Sequence, residues 1–288
     1  MSVVFTSETV LKANIYQRIK ELLVTNGWAN ISSKPSTDFD VFYSKGVAGD
    51  KELYFQLQDP GGFFTTGTQA ALNIKMINKY TPGSPGIAGT FDSGRGNEAW
   101  RPMYLFTSGS YVYGPDIPIK FSYHVNADRI IFATELPLAL NTSVGNNITY
   151  IGALSLYGSE PNCRSLIAAQ AAYSTAFSGS GSLVITSTPY SDNAASYSIA
   201  VYRINTLAEY NNNDIRMLSE IGVGNAIEGL RGKLDGLYCL YTNSNPRTVS
   251  GDILTDGTNT YRVISVSGIG GATKLFSDAN TLYAIQIS

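Results

Sequence analysis

Apolar residues recur at intervals of three and four near the start of the chain. Leu11, Ile15, Ile19, Leu22 and Leu23 trace one stripe, the pattern of a helix with one buried face. Lys12, Gln17, Lys20 and Glu21 fall mainly off that stripe. The spacing predicts a helix over residues 8–26, with Ser7 as N-cap and Glu8 in the first turn, where the helix dipole favours negative charge. Asn26-Gly27 ends it, because glycine takes the left-handed conformation at a helix C-terminus without steric penalty. Trp28 stands where a residue after the cap packs back on the last turn, towards Leu23.

Beyond Trp28 the period shortens to two. Residues 39–44 and 51–58 read as a hairpin, with Leu53, Phe55 and Leu57 alternating against Tyr54, Gln56 and Gln58. Residues 46–50 supply its turn. Further strands are expected at 72–80, 103–106, 119–125, 129–134 and 148–157, with Asn126-Ala127-Asp128 as the turn between the 119–125 and 129–134 strands. The fold class this predicts is α+β, an N-terminal helix packed on an antiparallel sheet. Two long segments, 59–68 and 81–98, are rich in Gly, Pro, Ser and Thr and show no apolar period. Loops of that length in a compact domain are functional or belong to an interface. They read as arms reaching a neighbouring subunit, and the second is expected to hold no regular structure.

After Gly158 the composition shifts, which divides the chain into an α+β domain, 1–158, and a β-rich C-terminal half, 159–288. The alanine-rich stretch 164–177 is expected to form a short helix, followed by a Gly/Ser linker at 179–182. Short strands are expected at 183–188, 197–204, 237–242, 261–266 and 282–287, and Asp256-Gly257 marks a hairpin. Residues 207–231 show no assignable pattern.

Composition narrows the functional classes. Of 288 residues, 43% are hydrophobic and 15% charged, against ~25% charged in ordinary soluble domains, so the chain can build a core. A net charge of −2 gives no general attraction to nucleic acid or anionic membranes, and no apolar run reaches the roughly 20 residues of a spanning helix. The opening MSVVFTSETV lacks the features of a signal peptide. Cys163 and Cys239 lie far apart and read as idle thiols of a reducing compartment. His124 is the single histidine, so Ser-His-Asp or Cys-His chemistry would have to run through it, and no ligand set for zinc surrounds it in sequence. Asp38, Asp40, Asp50, Glu52 and Asp59 could form a glycosidase pair, but they suit the turn and solvent face of a hairpin equally well. Gly94-Arg95-Gly96-Asn97 and Gly268-Ile269-Gly270-Gly271 lack the full phosphate-loop pattern. No catalytic residue, cofactor or metal site is expected. Tyrosine is the one excess, 19 against 12 Phe, and suits half-buried strands, interfaces or sugar-stacking platforms.

Several segments together resemble virion structural proteins of tailed bacteriophages. They are the helix ending in Asn26-Gly27-Trp28, then Asp40-Val-Phe-Tyr-Ser-Lys-Gly46 and Lys51-Glu-Leu-Tyr-Phe-Gln-Leu57. Later come Phe121 to Phe132, containing Ala127-Asp128-Arg129-Ile130-Ile131, then Tyr150 to Leu156, Gly251 to Gly257, Tyr261-Arg262-Val263 and the closing strand 282–287. The resemblance implies a non-enzymatic structural protein of the tail or head–tail neck, similar to tail terminators and collars. It implies a homo-oligomer in contact with other tail or neck proteins, made in the host cytoplasm and carried in the virion. The chain exceeds the compact members of that class by its β-rich second half, which leaves a baseplate, capsid-surface or host-carbohydrate-binding role open. No heptad pattern of a fibre shaft is present. Arg95, Trp100 and Arg101 are the expected interface anchors, because Trp and Arg dominate interface energies.

Overall fold

The computed structural model describes residues 6–59, 71–77, 79–91, 100–104, 114–135, 146–157, 166–171, 183–187, 198–210, 214–225, 229–241, 250–266 and 282–287. Across these residues the chain is mostly antiparallel β-sheet with one short N-terminal helix, α1 (Ile15–Thr25).

The helix is shorter than its apolar spacing predicts. Thr6–Leu11 is instead a strand that pairs along its whole length with Pro118–Asn126, followed by a 3₁₀ turn at Lys12–Asn14. Ser7 is therefore no cap, and Leu11 is 42% exposed while Lys12 is 1% exposed. Pairing with an existing strand outweighs a single helical turn, particularly through β-branched Thr6, Thr9 and Val10. The remaining stripe is buried as read, at Ile15, Ile19, Leu22 and Leu23. Its end is a Schellman motif. Gly27 at φ 97° lets the Trp28 amide donate to Leu23 O at 3.0 Å.

Three β-layers follow. The outer sheet has five strands in the order Ala29–Asn30, Asp40–Ser44, Leu53–Gln58, Ala71–Met76, Arg101–Tyr104. The central sheet has six, ordered Thr6–Leu11, Pro118–Asn126, Arg129–Glu135, Asn147–Ala153, Leu166–Ala171, Leu183–Ser187. One face of the central sheet, with Phe121, Ile130, Phe132 and Ile151, shares a core with α1 and with Phe42, Phe55 and Leu57 of the outer sheet. The opposite face, with Ile131, Ala133, Ile148 and Tyr150, packs on Ile221, Val223, Leu237 and Tyr283 of the C-terminal strands.

Those C-terminal strands close on themselves. Their order is Gly229–Tyr241, Asp214–Asn225, Ser198–Tyr210, Ile253–Thr255, Thr260–Ser265, Leu282–Gln286, and the last pairs again with the first. The result is a small antiparallel barrel, to which Ser155–Leu156 adds at Gly229–Tyr241. Leu218, Leu240, Leu254, Tyr261, Val263, Leu282 and Ala284 form the cluster the ring encloses. Cys239, Ile264, Tyr283 and Ile285, alternating with them, face the central sheet, as strand alternation in a barrel allows.

Three expectations change here. Within the alanine-rich stretch 164–177, Leu166–Ala171 is a strand between Asn147–Ala153 and Leu183–Ser187, so two flanking ladders override alanine's helix preference. Residues 207–231 belong largely to long strands with register shifts between Val201 and Asn205, Glu220 and Gly222, and Val223 and Gly224. Each shift breaks the two-residue period. The segment 81–98 contains regular structure, since Tyr80–Thr81 pairs with Thr90–Phe91. The Asp256-Gly257 hairpin joins Ile253–Thr255 to Thr260–Ser265. Asn147–Ala153 and Leu166–Ala171, on either side of position 158, are paired neighbours in the central sheet.

Candidate functional site

Arg95 lies outside the described residues. Trp100 is half-buried and sets its ring edge-on to Phe39, centroids 5.1 Å apart. The backbone of Arg101 pairs with Ile74. The loop residues 60–68 and 92–98, Cys163 and the Gly-rich stretches 94–97, 179–182 and 268–271 also lie outside the described residues. His124 is a buried strand residue, and Cys239 is a buried thiol pushed up to about 12 by desolvation. Among the described residues no group of three or more His, Cys, Asp or Glu is placed to hold a metal ion, and no helix is long and apolar enough to cross a membrane.

Asp38 and Asp40 of the first hairpin enter different networks. Asp40 points towards the helix, accepting from Tyr16 at 2.5 Å and Asn30 at 2.8 Å and pairing with Lys20 at 3.0 Å. Asp38 works on a different network. Two polar assemblies result that sequence spacing alone does not reveal.

The first is a dock around the turn Asn126-Ala127-Asp128. Trp28 Nε1 donates to Asn126 O at 2.8 Å, Ser44 Oγ to Ala127 O at 2.5 Å, and the Ala153 amide to Asp128 O at 2.9 Å. The Asn126 side chain accepts from the amides of Asp128 and Arg129. Lys51 Nζ and the Val47 amide both donate to Asp128 Oδ1, at 2.7 and 3.1 Å. A Cβ on Gly27 would lie 3.0 Å from the Ala127 Cβ, so the helix cap and the turn meet closely. Arg129, next in sequence, reaches Asp235 of the barrel at 2.5 Å. One four-residue stretch thus ties together the helix cap, the outer sheet, the central sheet and the barrel.

The second is a seat at Ser33 and Asp38, the latter in a one-turn helix, α2 (Pro35–Asp38). Asp38 is 1% exposed. Its Oδ2 accepts from the Tyr80 hydroxyl at 2.6 Å, the Lys34 amide at 2.9 Å, Ser33 Oγ at 3.0 Å and the Gly89 amide at 3.2 Å. Its Oδ1 is buried without a hydrogen-bond partner. Burial pushes the carboxyl up, but the hydrogen bonds on Oδ2 outweigh it and leave Asp38 below the ordinary carboxylate range. Ser33 takes further contacts from the same loop, the Gly83 amide on Oγ and the Gly86 amide on O, both at 3.0 Å. Gly89 lies against the Tyr80 ring, where an added Cβ would come within 2.3 Å. Ile77 and Tyr80 pack with Val41 and Tyr54 on the outer face of the outer sheet. That packing explains why Leu53–Gln58, expected to have one wet face, is buried on both. The described part of the expected second arm is therefore folded against its own chain.

No protein-family model matches the chain, and no curated protein matches it.

Proposed function

We propose that this protein is a non-enzymatic structural component of a tailed-bacteriophage virion, making subunit contacts in the tail or head–tail neck. In this reading the helix-on-sheet half, 1–158, is the body, and the β-rich half, 159–288, enlarges the contact surface. The protein acts as a homo-oligomer alongside other tail or neck proteins.

The observation that carries the reading is where the residues of the resemblance meet. Gly27-Trp28, Ser44, Lys51 and the Ala127-Asp128-Arg129 run are distant in sequence and converge on one joint between layers. The residues that carry the resemblance thus form an architectural joint. Residues whose hydrogen bonds are spent holding layers together serve a scaffold.

The test is a phage carrying a disrupted copy of the gene. The expected result is accumulation of unjoined heads and tails, corrected when the intact protein is supplied. Normal yields of infectious particles without the protein would overturn the proposal.

A second reading, binding of host-surface carbohydrate, draws on Tyr157. Its ring is 43% exposed and its hydroxyl donates to Glu220 at 2.9 Å, beside Lys233, which also binds Glu220. Binding of the full chain to a glycan array, lost in Tyr157→Ala, would favour it.

A further inference from the structure

Thr6–Leu11 is an edge strand of the central sheet, paired along its whole length with Pro118–Asn126. Among the described residues nothing pairs with its other side. Such an edge is a template for another strand unless it is blunted. The remaining edges are guarded. In the outer sheet one edge strand, Ala29–Asn30, has two residues, and the other, Arg101–Tyr104, carries Pro102. The barrel strands close on themselves, and Leu183–Ser187, at the far side of the central sheet, adjoins Ala71–Met76. Thr6–Leu11 has six residues, no Lys, no Pro and no register shift, and Thr6, Ser7, Thr9 and Leu11 are exposed.

The phase of its hydrogen bonds is fixed at its end. The Lys12 amide donates to Ile117 O at 2.9 Å, and Leu11 stands opposite Pro118, which has no N–H to offer. Hydrogen-bonded and non-hydrogen-bonded pairs alternate in an antiparallel ladder, so Glu8 and Val10 spend their backbone groups on Pro118–Asn126. Ser7 and Thr9 each turn an N–H and a C=O outward. Leu11 turns its N–H outward, while its C=O opens the 3₁₀ turn at Lys12–Asn14.

Resting on the homo-oligomer reading above, we propose that this edge is an intersubunit site whose occupant is the same strand of a second copy, antiparallel about a two-fold axis. The central sheets of the two copies then join into one. Within Thr6–Leu11 two registers engage both Ser7 and Thr9, one centred on Glu8 and one on Thr9. Centring on Glu8 sets that carboxylate against its own copy in a non-hydrogen-bonded pair, where Cα atoms stand only about 4.5 Å apart and like charges repel. Centring on Thr9 removes the clash. Glu8 then faces the partner's Val10 and keeps its own Arg18 at 2.7 Å. Thr9 meets the partner's Thr9, and the Leu11 N–H reaches the partner's Ser7 C=O. Leu11, 42% exposed on its own chain, gains the partner's strand as cover. In that register the strand is complementary to itself, the property a two-fold interface requires.

The test is hydrogen exchange by NMR on the full chain, with mass read by light scattering after size exclusion. The wild type is expected as pairs or multiples of pairs, its Thr9 and Leu11 amides as slow as those of Glu8 and Val10. Thr9→Pro removes an outward N–H that the chain's own fold does not use, in an extended edge segment that accepts proline. It is expected at half the wild-type mass or less, with an unchanged unfolding midpoint and a fast Leu11 amide. If Thr9→Pro does not fold, Thr9→Lys and Thr9→Glu replace it. Each is expected at half the wild-type mass or less alone, and their equimolar mixture at the wild-type mass, because opposite charges then meet across the axis. An oligomeric wild type whose Thr9 and Leu11 amides exchange quickly overturns the edge pairing and leaves the homo-oligomer reading standing. A folded Thr9→Pro that keeps the wild-type mass does the same. A single-copy wild type overturns both readings, and slow Thr9 and Leu11 amides in it would place a segment of the same chain on the edge.

Discussion

The dock at residues 126–129 and the seat at Ser33 and Asp38 solve the same physical problem in different ways. Each brings distant segments together through buried hydrogen bonds. The dock spreads its bonds, so that the carbonyls of Asn126, Ala127 and Asp128 each receive a separate donor. The seat crowds its bonds, with several donors on Asp38 Oδ2 while the buried Oδ1 has none. A distributed joint loses little when one bond breaks. A crowded joint hangs on one carboxylate, so it can be released as a unit. The first therefore holds layers together, and the second holds one ribbon, Tyr80–Thr81 paired with Thr90–Phe91, against the outer sheet.

The largest effect is expected at the dock. Trp28 is 1% exposed and packs edge-on against Phe55, centroids 5.3 Å apart. Trp28→Ala should lower unfolding stability by about 3–5 kcal/mol, measured by denaturant titration, and it also strips the donor from Asn126 O. A loss below about 1 kcal/mol would show that the layers do not depend on this joint.

Asp38→Ala comes next and should act locally. The seat amides and the Tyr80 hydroxyl lose their acceptor, worth about 1–3 kcal/mol. Hydrogen exchange should quicken at Gly89 and across the ribbon while the central-sheet amides stay protected. Uniform loss of protection would erase the contrast between a local joint and one that holds the layers together. Tyr80→Phe removes one donor of several and should cost about 0.5–1.5 kcal/mol, with the same ribbon-only pattern of exchange.

How far these joints could be read from the sequence follows from their chemistry. The helix stripe from Ile15 to Leu23, the Gly27 cap and the Asp256-Gly257 hairpin are local features, and their residues announce them. The dock was legible in part. Gly27-Trp28 and the Ala127-Asp128-Arg129 run stand out in the sequence, but nothing in their spacing says that they touch. The seat was hidden. Asp38 sits among other carboxylates in sequence, its partner Gly89 comes from a loop without periodicity, and Tyr80 ends an expected strand with nothing to say that it turns back onto Asp38. The barrel was hidden for a related reason, since closure depends on pairing Leu237–Cys239 with Tyr283–Ile285, distant in sequence. Residues 8–11 read as helix because Leu11 falls on the helix period, while the strand that pairs with Thr6–Leu11 lies far downstream.

The smallest effect separates the seat from an ordinary turn. Asp256 accepts from the Thr258 and Asn259 amides and the Tyr261 hydroxyl, and sits at about 2. Asp38 is also lowered. Groups lowered on folding stabilise the native state above the unfolded value, ~3.9, and lose that contribution as pH falls through the folded value. The melting temperature should therefore fall on acidification below about pH 4. Asp38→Asn should flatten that fall together with ribbon protection, whereas Asp256→Asn should flatten it with the ribbon unaffected. Identical exchange patterns in the two variants would remove the distinction.

The central claim, that this chain is built into the particle, is tested most directly by absolute quantification of its peptides in purified virions by mass spectrometry. The account predicts a fixed multi-copy ratio to the other tail or neck proteins, constant from one preparation to the next. Abundant protein in infected cells with none in purified particles would contradict it.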